Sequence, residues 1–80
     1  MNVFKDHVTE ENGKVRFQVD KFIPKMFFKP VMYACKMMYK GMPFDFAVSK
    51  ASDCYGIDEN FIIQYLPEYT KQLLREEIPQ

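Results

Sequence analysis

The chain has 80 residues, which is the size of one domain, and its 48% apolar content with eight phenylalanines and five tyrosines is enough for a packed core. No stretch approaches the roughly 20 apolar residues of a membrane span, and charged residues interrupt residues 1–19, where a signal peptide would be apolar. Two cysteines are fewer than a secreted domain of this size usually carries, so the sequence predicts a cytoplasmic protein with free thiols.

The formal net charge of zero hides an uneven distribution of charge along the chain. Residues 1–43 carry eight Lys/Arg and four Asp/Glu, whereas residues 44–80 carry three and seven, so the halves have net charges of +4 and −4. Two halves of opposite sign either attract each other within the fold or form two distinct binding faces.

The first predicted element is a β-hairpin at about residues 4–20. Asn12 and Gly13 are the favoured pair for a two-residue type I′ turn, because both tolerate a positive φ angle. The residues after the turn alternate between polar and apolar, which is the two-residue period of a half-buried strand. A turn at this position aligns Val8 with Phe17, with both side chains on the same face.

The next predicted element is a helix whose start is ambiguous. Pro24 can open a short helical turn in residues 22–28, and Pro30 would end that turn because the residue before a proline disfavours α geometry. Pro30 also suits the first position of a new helix. That helix is predicted from Val31 to Lys40, with Gly41 as its stop.

Further helices are predicted in the second half of the chain. Residues Phe44–Tyr55 have apolar side chains at helical spacing, and Gly56 ends this segment. Asp58 is a good N-cap for a helix over Glu59–Leu66. Pro67 then either kinks that helix or opens another, in which Leu73 and Ile78 extend the apolar stripe.

These elements predict an α+β fold, in which an N-terminal β-hairpin packs on a cluster of three to four helices within a single domain. The helical part spans about residues 24–78. Packing on the helices is required because two strands alone are not stable in water, unless a partner supplies a further strand.

The segment Val48–Leu66, VSKASDCYGIDENFIIQYL, resembles a helix-turn-helix unit in its framework positions. Ser52 is small enough for two helices to cross closely, Gly56 makes the turn, and apolar residues that include Ile62 join the pair. The resemblance implies that Glu59–Leu66 is the recognition helix of a DNA-binding protein.

The resemblance assigns roles to individual residues. Asn60 and Gln64 would bond to base edges, and cations elsewhere would hold the DNA backbone, namely Lys14, Arg16, Lys36 and Lys40. Asp58 and Glu59, however, place two carboxylates at the end of the helix that would approach the phosphates. The DNA-binding transcriptional regulator is therefore the alternative hypothesis.

The stretch of residues 25–44 contains five of the six methionines, and lysines recur around it at spacings of four or seven: Lys21, Lys25, Lys29, Lys36 and Lys40. A helix that is apolar nearly all round lies in the core or at an interface, and methionine-rich surfaces adapt to partners. The lysines form either a solvated edge or a grip on phosphates or on an acidic partner.

Signals for catalysis, cofactors or metal are weak. His7 is the only histidine and lies on the predicted outer face of the hairpin, far in sequence from Cys35 and Cys54. Both cysteines lie on predicted apolar helix faces and are expected to be buried and reduced. No glycine-rich phosphate loop or hydrolase motif occurs, so we expect no enzyme, no cofactor, no metal site and no small-molecule substrate.

The leading hypothesis is a small non-enzymatic regulator or inhibitor that binds another protein. Its contact residues are the outward side chains of the predicted helix that begins after the cap, namely Asp58, Glu59, Phe61, Ile63 and Tyr65. A chain of this size without enzyme motifs is compatible with a gene of a phage or another mobile element. A homodimer is left open, and no membrane association is expected.

Overall fold

Two strands, three α-helices and a final 3-10 helix follow one another in the computed structural model, which describes residues 3–73. The elements are β1 (Val8–Glu11), β2 (Lys14–Phe17), α1 (Lys25–Tyr39), α2 (Phe44–Tyr55), α3 (Glu59–Tyr65) and the 3-10 helix (Glu68–Lys71). The predicted α+β fold, with an N-terminal hairpin followed by helices, is confirmed. The predicted apolar contact of Ile78 lies outside the described residues.

The hairpin has the predicted turn and register. Asn12 and Gly13 have φ angles of 51° and 77°, and the antiparallel strands pair Val8 with Phe17. Positive φ at both turn residues gives the two-residue connection a twist that matches the twist of the strands. The turn chemistry therefore determines which residues of the two strands lie opposite each other.

Helix α1 begins earlier than predicted and continues through Pro30, so the predicted break at this proline is wrong. Pro24 is the residue before the helix, with φ −55° and ψ 145°. Pro30 is the sixth helical residue, and its missing N–H removes only the bond to Met26 in the first turn. The Pro30 ring is fully buried, and this burial offsets the lost hydrogen bond.

The ends of α2 and α3 follow the predicted signals. Helix α2 has the predicted bounds and ends at Gly56, which has a left-handed φ of 65°. Asp58 caps α3, because its side chain accepts a hydrogen bond from the Asn60 N–H at 2.8 Å. Helix α3 ends one residue before the predicted Leu66, and Pro67 opens the 3-10 helix rather than kinking α3.

The core lies where the three helices contact one another. It is built mainly from side chains of α1, α2 and α3, namely Val31, Ala34, Cys35, Met38, Phe44, Ala47, Val48, Ala51 and Ile62, with Leu66. The hairpin joins this core through Phe17, whose ring packs edge-on against Phe4 and Tyr39. The Tyr39 hydroxyl also donates to the Glu10 carboxylate at 2.8 Å.

The last turn of α2 differs from the prediction. Cys35 is buried as expected, but Cys54 and Tyr55 are exposed. Although both continue the apolar spacing of α2, this turn packs on Tyr33 at the surface rather than on the core. The Cys54 Sγ lies 3.7 Å from the Tyr33 Oη, and the Tyr33 and Tyr55 rings are 5.8 Å apart.

Candidate binding surface

The predicted protein-binding residues of α3 do not share one face. Phe61 and Tyr65 are four residues apart on one side of the helix, and both rings stack on Phe27, at 5.1 and 5.4 Å. Ile63 is half-buried and lies two residues from each, which places it on the other side of α3. Of the apolar members, Phe61 is the most accessible, with 47% of its surface exposed.

The acidic members of the predicted patch, Asp58 and Glu59, are both exposed at the start of α3. Asp58 already has a structural role as the cap. Within the segment that resembles a helix-turn-helix unit, α2 and α3 contact each other. The Ser52 hydroxyl donates to the Ile57 carbonyl at 2.6 Å and holds the connection between the two helices.

The predicted DNA-binding residues are distributed over different parts of the molecule. Asn60 and Gln64 are exposed and share the side of α3 that faces away from the buried Ile62. Phe27 marks the side of α1 that faces α3, because its ring stacks on Phe61 and Tyr65. Lys36 follows Phe27 by nine residues, or about two and a half helical turns, so it lies on the side of α1 away from α3. Lys14, Arg16 and Lys40 are exposed, the first two on β2 and the third directly after α1.

The outward side of α1 carries a further surface, in the region where the methionines and the regularly spaced lysines left an interface open. Five of the seven exposed large apolar side chains in the described part of the chain surround it, namely Val19, Phe22, Met26, Phe28 and Tyr55. Phe22 and Met26 are the extremes, with 83% and 72% of their surface exposed. Contiguous exposed apolar surface of this kind is typical of interaction sites.

These side chains line three adjoining grooves, which we call together the α1 surface. The first has a volume of about 500 Å³ and lies between Phe22, Met26 and Tyr55. The second, of about 450 Å³, runs between β2 and α1 over Phe28 and Met32. The third, of about 190 Å³, joins the other two, because it shares residues with both.

The α1 surface is strongly basic. Four cations line its grooves, namely Lys25, Lys29, Lys36 and Arg16, and no carboxylate does. Three of these cations lie on the solvent side of one helix at positions that helical periodicity brings into a row, among Phe28 and Met32. The methionine content and the lysine spacing were the sequence signals that pointed to this region.

A polar cleft lies on another part of the molecule, next to His7. The His7 ring stacks on Tyr69 at 4.2 Å, and its Nδ1 lies 2.7 Å from the Gln18 Oε1. Burial raises the pKa of Tyr69, whose hydroxyl donates to the Gln18 carbonyl at 2.8 Å. These contacts attach the hairpin to the 3-10 helix, which gives the histidine a structural role.

The carboxylates of this cleft are also engaged. Glu68 accepts hydrogen bonds from Lys71 and Lys21, both at 3.1 Å, and these bonds lower its pKa. Asp20 accepts from the Glu68 N–H at 2.9 Å. Glu68 is therefore a fixed negative charge in an ion pair rather than a proton donor near neutral pH.

Residues 3–73 contain no group of three or more His, Cys, Asp or Glu side chains that could hold a metal ion. In the same part of the chain, no helix is long and apolar enough to cross a membrane. Comparison of the chain with protein-family models, curated proteins and solved structures finds no significant match.

Proposed function

We propose that this chain is a non-enzymatic domain that binds another protein, with the α1 surface as its main contact. The observation that supports the proposal is the cluster of exposed apolar side chains around Phe22 and Met26, enclosed by cations and without a carboxylate in the grooves. An interface that covered this cluster would remove large apolar side chains from water. Full burial of one such side chain is worth about 1.5–3 kcal/mol.

A second, smaller contact is proposed at the start of α3. Phe61 offers an exposed aromatic ring beside the carboxylates of Asp58 and Glu59, so this contact has the opposite charge to the α1 surface. The two surfaces lie on different sides of α1. This arrangement supports the interpretation that the charge asymmetry of the sequence reflects two binding faces. A regulator or inhibitor would act by occupying a functional surface of its target.

The alternative function is DNA binding. The observation that favours it is the shared outward face of Asn60 and Gln64 on α3. The opposing observation is that Lys36, one of the proposed phosphate contacts, lies on the far side of α1 from α3. The two free thiols fit a cytoplasmic location for either function.

Affinity capture from cytosolic lysate, with and without nuclease, tests the proposal. We compare the unmodified chain with a double variant, Phe22→Ser with Met26→Ser, and with Phe61→Ala. Phe46→Ala is the matched control, because Phe46 is 53% exposed but lines none of the three grooves. We expect nuclease-resistant capture that the double variant loses and the control retains. Capture that persists in the double variant, or that needs nucleic acid, would contradict the proposal.

A further inference from the structure

The outer edge of β2 has backbone groups that the hairpin does not use. In an antiparallel hairpin, every second residue pair exchanges backbone hydrogen bonds, and the groups of the other pairs point outwards. The bond from the Gln18 N–H to the His7 carbonyl, at 2.8 Å, fixes which pairs these are. The N–H and C=O groups of Val15 and Phe17 therefore point away from β1, and no hydrogen bond described within residues 3–73 engages them.

The groove between β2 and α1 lies alongside this edge. Val15, Phe17 and Val19 line one side, and Phe28 and Met32 line the other. A strand paired with β2 would lie about 4.8 Å from it, and alternate side chains of that strand would point to one face. One set of side chains would thus enter the groove while the backbone bonds to Val15 and Phe17.

The charges of this region select the kind of strand that fits. Lys14 and Arg16 lie on β2, and Lys36 and Lys29 lie on the neighbouring part of α1. Opposite charges on adjacent strands stabilise pairing, and like charges destabilise it. Pairing of β2 with β2 of a second copy would bring the cations of both copies together. An acidic strand from a different protein is therefore the complementary occupant.

We propose that the free edge of β2 takes up an extended segment of the partner protein as a third strand, in which apolar residues alternate with Asp or Glu. The apolar set contacts Phe28 and Met32 in the groove, and the acidic set lies beside Lys14 and Arg16. The backbone bonds give affinity, and the groove selects the side chains. This inference rests on the proposed function, since it names the segment of the protein partner that the α1 surface binds.

The probe is a synthetic peptide of about seven residues, the length of a typical strand. It alternates Glu with Val, has blocked ends and carries a fluorophore, and its binding to the unmodified chain is followed by fluorescence anisotropy. We expect saturable binding that weakens as salt increases. A peptide with Lys in place of Glu has the same pattern but the wrong charge, and we expect no binding of it. Equal binding of both peptides would contradict the selection of acidic side chains.

Backbone methylation of the peptide tests pairing without any change to the protein. Only one alternate set of amides in a paired strand points to β2: the amides of the apolar residues if the strand runs antiparallel to β2, and those of the acidic residues if it runs parallel. N-methylation of that set should weaken binding at least tenfold, whereas N-methylation of the other set should change it less than about twofold. Equal effects of the two modifications would overturn the strand geometry.

Two proline variants test the edge on the protein side. Val15→Pro removes an outward N–H of β2 but no bond of the hairpin, and proline is tolerated at such edge positions. Val8→Pro is the matched control, because the Val8 N–H points outwards from the opposite edge, that of β1. We expect at least a tenfold loss of peptide affinity for Val15→Pro alone. Thermal unfolding confirms that both variants fold, and unchanged binding by a folded Val15→Pro would contradict the inference.

Charge variants and self-association complete the test. Arg16→Gln and Lys14→Gln should each weaken the acidic peptide several-fold and reduce the salt dependence, whereas Lys50→Gln, an exposed lysine outside the grooves, should not. Sedimentation of the chain alone reveals whether a second copy occupies the free edge of β2. Self-association that Val15→Pro abolishes would overturn the choice of an acidic partner. If capture from lysate depends on Phe22 and Met26 but the peptide does not bind, this inference fails and the proposed function stands.

Discussion

Two residues with positive φ, Asn12 and Gly13, hold the hairpin in its register. A Cβ at Gly13 would meet no atom within 4 Å, so a side chain there meets no steric obstacle outside its own backbone. We predict that Gly13→Val lowers the free energy of unfolding by about 1–2 kcal/mol, because a β-branched residue resists this conformation. Gly13→Asn, which tolerates positive φ, should cost clearly less. Urea denaturation measures both, and equal losses would show that the strain is not conformational.

The two cysteines should differ sharply in reactivity. Cys35 has no exposed surface, and burial raises the pKa of its thiol to about 12, so almost no thiolate forms near neutral pH. Cys54 is exposed. We predict that a thiol reagent at pH 8 labels one site per chain quickly and the second only on unfolding, as mass spectrometry would show. Cys54→Ser should remove the fast reaction, and rapid labelling of Cys35 would contradict its burial.

The cap of α3 connects folding with the proposed binding residues. The Asp58 side chain holds the Asn60 N–H, so Asp58→Ala should destabilise the fold by about 1 kcal/mol. Asp58→Asn keeps an acceptor oxygen and should cost less. Thermal or urea unfolding of both variants separates the cap from any role in binding. A loss as large for Asp58→Asn as for Asp58→Ala would show that charge, rather than the hydrogen bond, stabilises this helix end.

Local signals predicted the elements whose determinants are local. The turn pair set the hairpin register, Gly56 and Asp58 set the junction of α2 and α3, and each lies within a few residues of its effect. The course of α1 through Pro30 depends instead on burial of the proline ring, which the local sequence does not reveal. The exposure of Cys54 was also not predictable from the sequence, because helical spacing identifies an apolar stripe on α2 but does not show where the surrounding core ends.

The proposed binding surface was the least predictable feature of the molecule. Its components were visible in the sequence as methionines, aromatic residues and regularly spaced lysines. Their arrangement was not, because the second groove forms only when β2 lies beside α1. Conversely, the residues predicted on α3 are adjacent in sequence, but helical geometry places Phe61 and Ile63 on different sides. Spacing alone predicted outward positions without showing which of them share a surface.

Electrophoretic mobility with duplex DNA separates the two functions for the molecule as a whole. At about 50 mM salt, phosphate contacts are stronger than at physiological salt, so this condition favours DNA binding. We predict no shift of random duplex at low-micromolar protein, because Asp58 and Glu59 directly precede Asn60 at the start of α3 and because Lys36 lies away from α3.

Variants of α3 and of the α1 surface show which of the two would be responsible for any shift. A shift that is abolished when Asn60 and Gln64 are both replaced by Ala would establish base contacts by α3 and overturn protein binding as the leading function. A shift that survives this change but disappears with Lys29→Gln and Lys36→Gln would mean that the α1 surface binds phosphates. In that case the cations of the α1 surface would serve a nucleic acid backbone instead of an acidic strand, and the salt dependence would fall with each lysine removed. The expected absence of a shift, combined with capture of a protein through Phe22 and Met26, assigns the same cations to a protein partner.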